Sequence, residues 1–198
     1  HAMASNAARQ LSDGLFSRAH TVEVLAASPE LWIQGLEAPG VGALLNRARS
    51  LTPTSLWIGV ADAEGTVRSA TDQVLVGLDV SDRPWFEPGL QRVHVGDVRA
   101  SSPVMSALLP PAADGAPRRF MDFAAPIRVG DLTQGVLCMH SSWEWVRETM
   151  QTLQQADSAD RQIGLFIFDR RGRLIHAPGD SLEPLLALDQ RLPVAHTC

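Results

Sequence analysis

The sequence is notable first for what it lacks: it has no tyrosine, only two cysteines and no long apolar run among its 198 residues. Two cysteines cannot build a disulfide framework, and Cys138, which lies in an apolar strand pattern, is expected to be a small buried hydrophobic residue. A transmembrane helix needs about 18 consecutive apolar residues, so none is predicted in this sequence. A disulfide-stapled scaffold and a membrane span within these residues are both excluded.

Charge and motif content narrow the function classes further. With 17 basic and 22 acidic residues the net charge is −5, and no basic stripe is present, so no nucleic-acid partner is predicted. The sequence also lacks phosphate-binding glycine loops, a Gly-x-Ser-x-Gly nucleophile motif and a His-Glu-x-x-His metal motif. We therefore predict no catalytic residues, no cofactor and no metal site. A metal site built from His94, His140 and Asp122 is a minor alternative, and an enzyme is the least favoured class.

What is present is the composition of an ordinary globular protein. Hydrophobic residues make up 45% of the chain and charged residues 20%, which argues against disorder. The length suffices for a substantial core, in one large domain or two small ones.

Two helical segments are predicted before the first strand. Between residues 8 and 34, apolar side chains recur every three or four positions and form a stripe along one helix face. Pro29 interrupts this pattern but also suits the start of a new helix. A shorter helix is predicted over 41–51, after a Pro-Gly break. The stripe comprises Leu11, Leu15, Phe16, Ala19, Val22, Leu25 and Ala26.

A strand, an Asp-x-x-Gly turn and a second strand occur twice in the chain. The first copy covers 55–71 and the second 164–178. Asp62 and Asp169 are 107 positions apart, and so are Gly65 and Gly172. This spacing predicts two copies of one module. Too few residues follow the second hairpin to complete its module, so the stretch from Ser181 is expected to pack weakly or to borrow contacts from a neighbouring chain.

Two adjacent strands, joined by a hairpin at 129–133, are predicted to form the centre of a sheet. Alternation places Phe120, Asp122 and Ala124 on one face of the first strand. It places Val136, Cys138 and His140 on one face of the second. The segment 93–106 is predicted to be a strand flanked by loops over a pocket mouth, 109–117 a loop, and 143–157 a linker helix.

The corner at 83–86 places a guanidinium, a rigid proline and two aromatic rings in four consecutive residues. Pro84 fixes its own φ and pushes Arg83 toward extended geometry. Arg83 offers a fork of donors and Trp85 a flat wall, which together suit a small polar ligand. The alternative is that Trp85 and Phe86 only fill the core while Arg83 makes a surface ion pair.

Asp122 and His140 are polar residues inside apolar strands. Because an unpaired carboxylate is costly there, Asp122 must face solvent, a cation such as Arg83, or a polar cavity. A structural role and a ligand contact both fit Asp122, and the same choice stands for His140. The candidate ligand-binding residues are Arg83, Trp85, Phe86, Asp122 and His140.

Several segments together resemble one known family. Asp-Arg-Pro-Trp-Phe at 82–86, followed by Val-Gly-Asp-Val at 95–98, resembles the pocket segment of double Cache (dCache) sensor domains. Phe-Met-Asp-Phe-Ala-Ala-Pro-Ile at 120–127 and Gly-Val-Leu at 135–137 are similar to the next two strands of that family. The resemblance runs from the N-terminal helix to about Pro178.

This resemblance implies an α+β fold with a PAS-like antiparallel sheet and a long N-terminal helix. The implied division is a stalk helix and short helix at 8–50, a membrane-distal ligand-binding module at 51–142, a linker helix at 143–161 and a truncated membrane-proximal module at 162–198. We expect one antiparallel sheet from Leu56 to Leu137 with the N-terminal helix along its side.

The implied function is the periplasmic, small-molecule-binding region of a bacterial inner-membrane signalling protein. Its output module, a diguanylate cyclase, histidine kinase or chemoreceptor, and its transmembrane helices are expected outside this sequence. A homodimer through the N-terminal helix is a further expectation. The alternative function is a PAS-like structural or dimerisation module without a ligand.

The ligand is expected to be a small anion or organic acid. Amino-acid-sensing dCache domains carry two tyrosines around the motif Arg and Trp and an Asp at the end of the Gly-Val strand. This chain keeps Arg83 and Trp85 but has Leu78, Phe86 and His140 at those three positions. Because histidine cannot replace the Asp that would pair with an α-ammonium group, an ordinary α-amino acid is disfavoured.

Overall fold

The computed structural model describes residues 2–52, 54–100, 119–157, 166–168 and 174–176. The chain divides into two units, one formed by Asp13–Glu144 and the other by His1–Ser12 together with Trp145–Cys198. None of the helices in the described ranges is both long and apolar enough to cross a lipid bilayer.

A six-stranded antiparallel sheet forms the centre of the first unit, which confirms the predicted α+β class. Its strand order is β2-β1-β6-β5-β3, and β4 also pairs with β5. The two longest strands, β5 and β6, are joined by a tight turn in which Gly130 has a positive φ of 62°. The strands are β1 Ser55–Asp62, β2 Val67–Ala70, β3 His94–Val95, β4 Arg99–Ala100, β5 Arg119–Val129 and β6 Leu132–Ser142.

The helices predicted before the first strand and after the central strands are present. The apolar stripe forms α1, which ends at Ala26, and Pro29 then begins α2 as its first helical residue, since proline's missing N–H costs nothing there. The helix begins earlier than the predicted residue 8. The helices are α1 Ala2–Ala26, α2 Pro29–Trp32, α3 Val41–Leu51, α4 Phe86–Gln91 and α5 Glu144–Asp157.

The two faces of the sheet bury two separate apolar clusters, as the strand alternation predicts. On one face, Phe123 and Met139 pack with residues of α1, α2 and α3 such as Trp32 and Leu45. The opposite face packs Ala124, Val136 and Cys138 of β5 and β6 against Trp57, Trp85 and Phe86. Helices α1, α2 and α3 therefore cover one face, whereas the opposite face, on which α4 packs, carries the polar residues of the central strands.

Arg18 of α1 ties that helix to the end of β6 and to the residue that precedes β1. Its Nε donates to Ser141 Oγ at 3.1 Å, and Nη2 donates to Thr54 Oγ1 at 2.9 Å. Burial lowers the pKa of this guanidinium. A partly buried arginine held by hydrogen bonds fixes the position of α1 more specifically than apolar packing alone, because its donors need acceptors in defined directions.

The second unit repeats the register of the first hairpin. In the first unit Val60 pairs with Ser69 and Ala61 with Val67. In the second, β7 (Ile167–Phe168) and β8 (Leu174–His176) pair Ile167 with His176 and Phe168 with Leu174. Both hairpins have a register irregularity between these two pairs, and each residue of the first hairpin's pairs lies 107 positions before its counterpart in the second. The described strands of the two hairpins thus match residue for residue.

Several sequence predictions fall outside the described residues. They include the loop at 109–117, the turn at 169–172 and the stretch from Ser181. The described part of 93–106 holds β3 and β4. The division into modules at 8–50, 51–142, 143–161 and 162–198 stays a prediction.

We predict that Asp62→Asn makes the stability of the fold less dependent on pH. Burial acts to raise the pKa of Asp62, but hydrogen bonds from Arg68 and from the Thr66 and Glu64 N–H groups together lower it. A folded-state pKa below the unfolded value gives stability that is present above the unfolded carboxyl range and is lost as pH falls through the folded pKa. Because Arg68 is exposed, the loss for Asp62→Asn at neutral pH should be only about 0.5–1 kcal/mol.

Urea unfolding at neutral and acidic pH measures this effect. The difference between wild type and Asp62→Asn should shrink as pH falls; Glu64→Gln, at an exposed acid in the same turn, is the matched control. A constant difference at every pH would contradict the role given to the carboxylate.

Candidate functional site

His140 lies at the centre of a site built by three neighbouring strands. It pairs directly with Asp122 of β5 and with Trp57 of β1. Directly opposed residues of an antiparallel pair project to the same face, so these three side chains stand side by side. Cys138 lies two residues earlier on the same face of β6. The register of the central strands therefore creates the cluster.

The polar members of the cluster are deeply buried and close together. Asp122 is 2% exposed and His140 5%. His140 Nδ1 lies 2.5 Å from Asp122 Oδ1 and 3.9 Å from Cys138 Sγ. The other carboxylate oxygen, Oδ2, forms an ion pair with Arg99 of β4, whose side chain is 30% exposed. Arg99 offsets the desolvation of the buried carboxylate.

Aromatic rings enclose the imidazole of His140. Trp57 stacks on it with ring centroids 4.7 Å apart and an interplanar angle of 24°. Phe120 lies 5.1 Å away, and Trp85 approaches edge-on at 6.2 Å. The guanidinium of Arg99 lies 5.1 Å from the Phe120 ring. The site thus combines apolar walls with a few charged groups, as small-molecule sites do.

A strained segment after β2 holds Trp57 in place. Asp72, Gln73 and Leu75 all have positive φ, at 52°, 59° and 69°, which is costly for residues other than glycine. Asp72 forms an ion pair with Arg49, with 2.7 Å between Oδ2 of the aspartate and Nη2 of the arginine. In this conformation the Val74 carbonyl accepts a 3.0 Å hydrogen bond from Trp57 Nε1. The strain therefore serves to orient the ring that covers His140.

Two nearby groups have shifted pKa values. Burial, reinforced by the charge of Asp122, raises the pKa of the Cys138 thiol well above its usual value, against an opposing effect of Arg99. Burial also lowers the pKa of His94, and Arg92 adds to this while Asp122 and Asp97 oppose it. Cys138 is therefore a neutral thiol at neutral pH.

The structure brings together three of the five predicted site residues: Trp85, Asp122 and His140. Phe86 is buried beside Trp85, with ring centroids 6.1 Å apart. The Arg83 side chain is 44% exposed and forms an ion pair with Asp82 at 3.4 Å. The cation beside Asp122 is Arg99. The part of Arg83 in ligand binding stays a prediction.

Arg99 is the charged residue that sequence reasoning missed. A signal was available, because Arg99 is the single arginine or lysine in the predicted strand region 93–106. A buried Asp in one strand requires a cation from a neighbouring strand. Asp122, Cys138 and His140 also form the group within the described ranges whose potential metal-ligating atoms all lie within 4.8 Å, and His94 is not part of it.

We predict that Gly59→Ala disrupts the stack on His140. Gly59 is opposite Cys138 in the register, and a Cβ atom there would lie 2.1 Å from Cζ2 of Trp57. The indole would have to leave its place, at a cost of about 1–3 kcal/mol. Gly42→Ala is the matched control, since its Cβ would meet only the end of the flexible Gln73 side chain, at 3.4 Å.

Urea unfolding and near-UV circular dichroism of both variants provide the measurement. Gly59→Ala should lose stability and change the tryptophan signal, and Gly42→Ala should do neither. Wild-type stability of Gly59→Ala would show that Trp57 is not confined against this glycine.

Comparisons with known proteins give the fold a context. No protein-family model matches the sequence, and no curated protein matches it significantly. The chain is similar in structure to an extracellular ligand-binding receptor from Desulfohalobium retbaense, with a TM-score of 0.67 and 14% identity over 97% of this chain and 32% of that one. The chain thus spans about a third of that receptor's length.

Two further solved structures are similar. The sensor domain of the V. cholerae histidine kinase DctB gives a TM-score of 0.62 with 12% identity, over 89% of this chain and 64% of that one. The ligand-binding domain of the Pseudomonas aeruginosa amino acid chemoreceptor PctC, in complex with GABA, gives a TM-score of 0.66 with 19% identity, over 88% of this chain and 72% of that one. This chain therefore has the fold of extracellular sensor domains, as its resemblance to double Cache domains predicts.

Proposed function

We propose that this chain is the extracytoplasmic ligand-binding region of a bacterial transmembrane signalling protein and that its ligand is a small anion or organic acid. The fold supports the sensor class, since similar folds serve histidine kinases and chemoreceptors. The periplasmic location, the membrane anchors and the output module, whether a histidine kinase, chemoreceptor or diguanylate cyclase, belong to the same proposal.

The observation that carries the ligand class is a surplus of buried hydrogen-bond donors. Trp85 Nε1 and Arg99 Nε are both buried without a hydrogen-bond partner in the part of the chain that the structure describes. Both groups can only donate. A buried donor left without an acceptor costs about 1–3 kcal/mol, so a ligand that brings acceptors would recover this free energy. Carboxylates and other oxyanions are such ligands.

The carboxylate of Asp122 has little room for an ammonium group. Its Oδ2 is paired with Arg99, and its Oδ1, although it makes no hydrogen bond among the described residues, already has the imidazole nitrogen of His140 at 2.5 Å. Leu78 is exposed and Phe86 has no hydroxyl group, so neither supplies the polar contact expected of a tyrosine. These features support an anion over a ligand that carries an ammonium group, such as an α-amino acid or the GABA bound in the PctC structure.

A direct route connects this site to α1. His140 faces the site, and the next residue, Ser141, accepts the hydrogen bond from Arg18 of α1. A ligand with different affinity for two positions of β6 would therefore also favour one position of α1. Phe16 and Val24 are exposed on this helix, which supports the proposed homodimer through α1.

A thermal-shift screen tests the ligand class. Small mono- and dicarboxylates should raise the melting temperature of the wild type, and amino acids and amines should have less effect. Trp85→Phe removes the unpaired N–H but keeps an aromatic ring, so it should weaken the response relative to its own ligand-free form. A wild type that responds best to amino acids would overturn the anion proposal, and no response to any compound would favour the ligand-free structural module.

We also predict that substitution of Trp85 lowers the stability of the ligand-free protein, whereas substitution of Arg83 does not. Trp85 is 2% exposed, so Trp85→Ala should cost about 3–5 kcal/mol of unfolding free energy. Arg83→Ala should leave the ligand-free stability nearly unchanged, because its side chain is exposed. Weaker ligand binding by Arg83→Ala would add Arg83 to the site, and unchanged binding would restrict the site to the buried residues around Arg99.

A further inference from the structure

Asp122, Cys138 and His140 present three different donor atoms to one point in the protein interior. A carboxylate oxygen, a thiol sulfur and an imidazole nitrogen all lie within 4.8 Å of one another. All three residues are buried, and they project from the same face of β5 and β6. Strand register, which the surrounding hydrogen bonds fix, therefore holds the set together.

The contact between Asp122 and His140 is not a normal hydrogen bond. The Oδ1 and Nδ1 atoms are 2.5 Å apart, yet Oδ1 has no hydrogen-bond partner of acceptable geometry among the described residues. A buried carboxylate oxygen in this state is costly. A cation placed between the oxygen, the nitrogen and the nearby sulfur would satisfy all three after a small separation of the first two.

The surroundings resemble the outer shell of a metal site. Arg99 holds the second oxygen of Asp122, which orients Oδ1 toward His140. Trp57 stacks on the imidazole and fixes its plane. Such outer contacts orient ligand side chains and are part of functional metal centres.

We propose that Asp122, Cys138 and His140 bind a borderline transition-metal ion, best Zn²⁺, with one coordination position left open. Sulfur and imidazole ligands favour zinc and its neighbours over Mg²⁺ and Ca²⁺, which take oxygen ligands. A thiolate and a carboxylate neutralise the two charges of the ion. Coordination replaces the thiol proton with a metal–sulfur bond, and the proton leaves to the buffer. This site does not depend on the sensor function proposed above.

Cobalt titration of the metal-free protein tests the proposal, because Co²⁺ bound by a thiolate gives a characteristic charge-transfer band. We expect one Co²⁺ per chain with this band, and its loss when Zn²⁺ is added. Cys138→Ser should lose the band, and Cys198→Ser, the matched change at the other cysteine, should keep it. Absence of the band in the wild type, its persistence in Cys138→Ser or its loss in Cys198→Ser would overturn the site.

Histidine variants and melting curves provide a second readout. His140→Gln should lower the Co²⁺ affinity at least about 10-fold, a loss that even outer-shell changes produce. His94→Gln should not. Zn²⁺ should raise the wild-type melting temperature, as any ligand of the folded state does, and Mg²⁺ should not. Equal shifts of the melting temperature by Zn²⁺ and Mg²⁺ would refute the assignment, and so would equal Co²⁺ affinities of His140→Gln and His94→Gln. Both tests hold even if Cys138→Ser fails to fold.

Discussion

The burial of one carboxylate, that of Asp122, is the constraint on which the site depends. A charge in the middle of a sheet is tolerated only if neighbours offset its desolvation. Arg99 approaches from the edge of the sheet and His140 from the adjacent strand. The arginine in turn lies against Phe120, and the histidine against Trp57 and Phe120. One buried charge thus organises residues from four strands.

The position of Trp57 shows how the rest of the fold supports this arrangement. Its ring fits only because residue 59 is a glycine, and its Nε1 is held by the carbonyl of Val74. That carbonyl is presented by a segment with three non-glycine residues at positive φ. Backbone strain of this kind persists where surrounding contacts enforce it, and it is concentrated at functional sites. Here it lies beside the imidazole that the proposed anion and the proposed metal would both approach.

The two faces of the sheet separate the site from its connection to α1. Side chains alternate along β6, so His140 faces the aromatic cluster while Ser141 receives Arg18 on the opposite side. A displacement of one residue must move the other, because they are consecutive in a hydrogen-bonded strand. The sensor proposal needs such a link between ligand and helix, and the sheet provides it without a separate hinge.

The sequence by itself determined the order of the elements, the faces of the central strands and the repeated hairpin. These depend on local periodicity and turn chemistry, which are legible in single segments such as 120–127 and 62–65. Only the tertiary structure decided that Asp122 pairs with Arg99, that Arg83 lies at the surface, and that Asp122 joins Cys138 and His140 in one buried cluster. Those choices depend on which strands become neighbours and in which register, and residues distant in sequence carry no local signal of that pairing.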